Sequence, residues 1–104
     1  MATYIGDRTI DGVQVMVDGR PLDDATRVHA FTANGFEWSY EGAEPRQLAL
    51  ALLVDHLQEP RRAMELVEPF MRAVVANFDN EWELTSADME DAIAALAPLR
   101  SNYA

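Results

Sequence analysis

The chain has no cysteine and no lysine. Without cysteine there is no disulfide staple, no thiolate zinc site and no cysteine nucleophile, and a cytoplasmic setting is expected. Without lysine there is no Schiff-base amine and no phosphate-loop lysine. All eight basic residues are arginine, against eighteen acidic ones, so the formal net charge is −10. That sign argues against direct binding to nucleic acid or to an anionic membrane. None of the glycines belongs to a GxGxxG, GxxxxGK[ST] or GxSxG motif. The longest apolar run has seven residues, Leu48 to Val54, against the roughly 20 needed to span a bilayer. The start, MATYIGDRTIDG, has neither a basic n-region nor an apolar h-region, so no signal peptide is expected.

What is present fits one folded domain over residues 1–104. Apolar residues make up 49% of the chain, enough for a core. Thr3 to Ile10 reads as a short β-prone segment, TYI, followed by a turn at Gly6-Asp7. Val13, Val15 and Val17 alternate with Gln14 and Met16, the pattern of a half-buried strand. Asp18-Gly19 is a two-residue hairpin signal, and Pro21 puts the short return arm at a sheet edge. Val28 to Phe31 is read as another strand and Asn34-Gly35 as a turn. Phe36, Trp38 and Tyr40 alternate with Glu37 and Ser39, which predicts a strand with an aromatic face and Trp38 between sheet and helix.

The second half reads as helical. The stretch QLALALLVDHL, Gln47 to Leu57, is apolar on nearly every side, so the rest of the chain must wrap it. Pro45 and Glu44 suit its first turn, and it ends near Gln58. Pro60 to Phe78 carries apolar residues at helical spacing, with a kink, or two helices meeting, expected near Glu68 because Pro69 removes a backbone donor. Trp82 and Leu84 alternate with Glu81 and Glu83 as a short strand. Thr85-Ser86-Ala87-Asp88 fits a capping box. It opens a last helix to about Leu96, with Met89, Ile93 and Leu96 buried, a stop at Pro98 and a loose tail from Ser101 to Ala104. Strands first and helices later predict an α+β fold, a small antiparallel sheet packed on about three helices.

Chemistry-bearing patterns are sparse. His29 and His56 stand in no metal-ligand spacing, so no metal is expected. No serine sits in a nucleophile motif, and neither cofactor nor catalytic residue is assigned. The chain is therefore read as a binding protein and not an enzyme. Asp79, Glu81, Glu83, Asp88, Glu90 and Asp91 fall within thirteen residues that hold no basic residue. On an extended strand Asp79, Glu81 and Glu83 would lie about 6.6 Å apart on one side. Such a row can imitate phosphates and occupy a basic groove. Asp79, Glu81, Glu83, Glu90 and Asp91 are the candidate partner-binding residues. Tyr40 joins them as the aromatic least committed to the core.

FEWSY, PRQLALALLVDHL and EWELTSADMEDAI together resemble a family of short uncharacterised proteins from bacteria and their phages. The likeness extends to Tyr4, Gly6, Asp7 and Arg8. It leads one to expect glycine where this chain has Ser39. It implies a setting of phage or mobile-element DNA inside a bacterial host cell, and no activity. In size, acidity and lack of cysteine the chain also resembles anti-CRISPR inhibitors. The expected partner is a basic protein surface, a nucleic-acid-binding subunit of a host defence complex. The alternative is an assembly module that forms a homodimer, or joins a larger complex, through an apolar patch.

Overall fold

Residues 2–101 are described by a computed structural model. Strand β1 (Thr3–Thr9) turns at Ile10-Asp11 into β2 (Gly12–Val17), and Asp18-Gly19 turns β2 into the two-residue β3 (Arg20–Pro21). Asp18 and Gly19 have φ of 50° and 83°, as a two-residue hairpin of this kind requires. A distant strand, β4 (Trp82–Thr85), pairs antiparallel with β1, and the sheet order is β3-β2-β1-β4. The α+β prediction therefore holds.

Gly6-Asp7 is not a turn. The strand runs through it because Gly6 lies under the indole of Trp82, where a β-carbon would come within 2.2 Å of the ring. The missing side chain makes room for an aromatic one; it does not bend the backbone. Tyr4, Gly6, Val15, Val17 and Trp82 form the buried face of the sheet.

Helix α1 (Ala43–Leu57) starts after Gly42 and ends at Gln58, whose φ is 57°. Leu48 to Val54 are all buried, as an all-round apolar helix demands. Helix α2 (Pro60–Ala73) packs along α1. The helix is not broken into two near Glu68: it runs through Pro69 to Ala73 and ends at Val74, with a 3-10 turn over Val75–Asn77. A proline inside a helix costs about 3 kcal/mol. Burial of Leu66, Val67, Phe70 and Met71 around it, at about 1.5–3 kcal/mol each, outweighs that cost.

Two predicted strands are loops. Val28 to Phe31 belongs to a turn in which the Val28 and His29 N–H groups both donate to the Ala25 carbonyl. FEWSY pairs with no strand among the described residues: it bends at Ser39 and Tyr40, and Ser39 ties it to Val75 and Phe78. Gln47 ties the first of these loops down. Its fully buried amide accepts from Phe31 N–H (2.8 Å) and donates to the carbonyls of Asp24 (2.7 Å) and His29 (3.1 Å).

The capping box forms as expected. Thr85 N–H donates to Asp88 Oδ2 (2.9 Å) and Asp88 N–H to Thr85 Oγ1 (3.1 Å). It opens α3 (Ser86–Ser101), which buries Met89 and Ile93. Pro98 does not stop this helix. Losing one backbone donor leaves the remaining turns intact. Of the predicted loose tail, Ser101 ends the helix and residues 102–104 lie outside the described residues.

Candidate partner-binding surface

Aromatic packing decides where the carboxylates point. Trp82 is buried, stacked on Phe78 at 4.3 Å and set edge-on to Trp38 at 5.7 Å. Neither indole N–H has a protein acceptor, so ring contacts and apolar burial hold this cluster. With Trp82 turned inward, its neighbours Glu81 and Glu83 must face the other way, and both are exposed. Glu83 stands opposite Ile5 of β1. Asp7 shares the outward side of β1 with Ile5, which is 47% exposed. Together Ile5, Gly6, Asp7, Glu81, Trp82 and Glu83 line a shallow depression of about 320 Å³.

Asp79 lies next to this group but outside the strand. It lines a second depression with Ser39, Phe78, Asn80 and Glu81. Glu81 also precedes β4, so of the expected row Asp79, Glu81 and Glu83 only Glu83 lies within the strand. Glu81 is shared by both depressions, so the acidic group is continuous from Asp79 through Glu81 to Glu83 and Asp7.

Arg8, the next residue after Asp7, is partly exposed and tied to other groups. Its guanidinium lies over the Trp38 ring at 4.8 Å and donates to Glu37 Oε1 and to the Trp38 carbonyl, both at 2.8 Å. Its other nitrogen donates to Asn80 Oδ1 at 2.5 Å. Arg8 therefore pins FEWSY and the segment before β4 to the sheet. Ser39 completes the attachment: its N–H donates to the Val75 carbonyl (3.1 Å) and its hydroxyl to the Phe78 carbonyl (2.5 Å). Ser39 has φ of 79°, in the left-handed region that favours glycine, and its hydroxyl bond offsets part of that strain.

The remaining candidate residues sit elsewhere. Tyr40 is 45% exposed, and its hydroxyl donates to Glu44 Oε1 at 3.1 Å, near the start of α1. Desolvation, then this carboxylate, raises the Tyr40 pKa above the ordinary range. Glu44 is held below the ordinary range, first by the Thr32 hydroxyl that donates to it. Glu90 lies on α3 against His56 at the end of α1. Asp91 is exposed beside it in sequence. The structure thus joins Asp79, Glu81 and Glu83 to Asp7, and sets Glu90 against a histidine instead. Asp7 was missed because Gly6-Asp7 resembles a turn. The signal was there in the alternation of Tyr4 and Gly6 with Ile5 and Asp7.

Among the described residues no group of three His, Cys, Asp or Glu side chains could hold a metal ion. No described helix is long and apolar enough to cross a membrane.

Residues 4–95 match DUF6166, a family of unknown function. The chain belongs to this family. The match takes in β1 from Tyr4 onward, the other three strands, α1, α2 and most of α3, so the acidic sheet edge lies inside the DUF6166 region. No curated protein and no solved structure matches the chain.

Proposed function

We propose that this DUF6166 protein is a non-enzymatic binding protein that docks its acidic sheet edge on a basic protein surface. The observation that carries the reading is the group Asp7, Asp79, Glu81 and Glu83. These carboxylates stand together around two open depressions, while the adjacent Arg8 is engaged by Glu37, the Trp38 carbonyl and Asn80. A like-charged group of this kind costs the fold some repulsion. It also raises the encounter rate with a cationic surface. The partner class that fits is a basic groove that otherwise holds nucleic acid, such as a subunit of a bacterial defence complex. In that role the protein would act as an inhibitor, by occupying the groove in place of phosphates, in the manner of an anti-CRISPR protein of phage or mobile-element origin.

The test is a tagged pull-down from bacterial lysate at low and high salt, with bound proteins identified by mass spectrometry. It is repeated with Asp79→Arg, Glu81→Arg and Glu83→Arg combined. The expected result is a nucleic-acid-handling protein that is lost at high salt and lost with the reversed chain, whose circular dichroism is unchanged. Exposed charges are screened over about 8–10 Å near physiological salt, which gives the salt arm its sign. A partner retained by the charge-reversed chain would refute the proposal. Self-association that survives salt would favour the assembly module, with Ile5 as the exposed apolar contact.

A further inference from the structure

The two edges of the sheet are built differently. On one side β3 is only two residues long and contains Pro21, which has no N–H to offer. That edge is blunted against further pairing. On the other side β4 contains neither proline nor glycine, and no strand covers it among the described residues.

The register shows which backbone groups that edge presents. Ser86 N–H donates to the Ala2 carbonyl at 2.9 Å, so Ala2 and Ser86 are a hydrogen-bonded pair. Antiparallel pairs alternate between bonded and non-bonded. Tyr4–Leu84 and Gly6–Trp82 are then bonded pairs, and Thr3–Thr85 and Ile5–Glu83 are not. The opposite side of β1 agrees, since Asp18 N–H donates to the Thr3 carbonyl at 3.1 Å, so Thr3 and Ile5 turn their peptide groups to β2. The peptide groups of Glu83 and Thr85 consequently point away from the sheet. The Thr85 N–H is taken by Asp88. The Thr85 C=O, as the N-cap carbonyl of α3, accepts the first bond of that helix, so Glu83 N–H and Glu83 C=O remain as the open pair.

We infer that the free edge of β4 accepts an extended basic peptide segment of the partner as a fifth strand, centred on Glu83. The inference rests on the proposed docking of the acidic surface and names the element that engages it. A residue placed opposite Glu83 would exchange backbone bonds with it and project its side chain on the same face. That face carries Glu81, Glu83 and Asp7, so arginine or lysine at alternate positions complements it. A second copy of this chain does not fit. It would bring its own β4 carboxylates against these, on top of a net charge of −10.

The probe is a capped heptapeptide of alternating threonine and arginine, titrated into the full-length isotope-labelled chain. A peptide N-methylated at every arginine keeps its charge and loses the donors that would face Glu83. One N-methylated at every threonine keeps those donors. The expected result is amide shifts and slowed exchange at Glu83, with the arginine-methylated peptide binding about fivefold weaker or worse, as loss of backbone bonds implies. The threonine-methylated peptide should bind like the parent. Glu83→Pro should bind more weakly than Glu83→Gln, because only the first removes the outward donor.

Equal binding of all three peptides would overturn strand addition while leaving charge docking intact. No binding of any of them at about 1 mM overturns the inference too. So does a dimer whose interface maps to β4. If Glu83→Pro fails to fold by circular dichroism, the peptide series decides by itself.

Discussion

Replacing Gln47 by leucine is expected to destabilise the protein by about 2–4 kcal/mol, although leucine is more hydrophobic and nearly the same size. Gln47 is fully buried on α1 and makes three hydrogen bonds to the loop before FEWSY. Each contributes about 0.5–1.5 kcal/mol net. Leucine would regain some apolar burial but would leave the Phe31 N–H facing a methyl group, and an unsatisfied buried donor costs about 1–3 kcal/mol. The carbonyls of Asp24 and His29 belong to exposed residues and can rehydrate, which keeps the estimate from rising further. The assay is urea unfolding followed by tryptophan fluorescence. With a slope of about 2 kcal/mol per molar, the midpoint should fall by about 1–2 M. Gln14→Leu, on the exposed side of β2, is the control and should stay within about 0.5 kcal/mol of the parent. In the Gln47→Leu chain the Phe31 amide should also lose its protection from exchange. A midpoint unchanged from that of the control would refute the reasoning, since the glutamine could not then be anchoring the loop.

Three further predictions concern the elements around the acidic edge. Gly6→Ala should cost about 1–3 kcal/mol by overpacking, because the new methyl meets the Trp82 ring and Phe78 and Trp38 leave that ring nowhere to go; an unchanged melting temperature would contradict the packing. Ser39→Gly should be close to neutral in chemical unfolding, trading the hydroxyl bond for relief at a φ of 79°, whereas Ser39→Ala loses the bond and keeps the strain, costing about 0.5–1.5 kcal/mol. Tyr4→Phe should cost about 0.5–1.5 kcal/mol at neutral pH through loss of its 2.7 Å bond to Asp55. Burial first, and then Asp55, raises the Tyr4 pKa well above the ordinary tyrosine range. Its stabilisation is therefore full below about pH 10 and declines above it, where the unfolded chain ionises and the folded chain does not. Unfolding curves of the parent should steepen in their loss of stability there, relative to Tyr4→Phe.

Most of the fold was legible because its determinants are local. The valine alternation of β2, the Asp18-Gly19 turn, the all-apolar α1 and the Thr85–Asp88 box each act within a few residues. Three of the errors share one cause, which is a distant partner. Val28 to Phe31 has strand-forming residues, but Gln47 on α1 claims its backbone. FEWSY alternates correctly, yet Arg8 and Val75 hold it as a loop. Gly6 looks like a turn until Trp82, far along the chain, is seen to lie over it. The prolines are a separate case: neither Pro69 nor Pro98 ends its helix, and around Pro69 the buried residues that outweigh the cost are local. At the candidate surface Glu81 and Glu83 were readable from alternation, and Asp7 could have been read the same way, but its place beside them depends on the pairing of β1 with β4.

The same pairing explains why the acidic surface is placed where it is. β1 and β4 meet across most of the chain length, with Trp82 fixed by Gly6 beneath, Phe78 stacked on it and Trp38 at its edge. Rotating β4 by one residue would bring Glu81 and Glu83 inward and expel the tryptophan. Burying unpaired carboxylates there would cost several kcal/mol beyond the lost aromatic burial. The register is thus strongly fixed, and with it the outward aim of both carboxylates and the direction of the Glu83 peptide group. A rigid edge presents these groups without ordering them at the moment of contact, which spares part of the entropy that binding otherwise costs. The aromatic cluster is the structural cause and the acidic edge its consequence, so substitutions in the first should alter docking at the second without touching a charge.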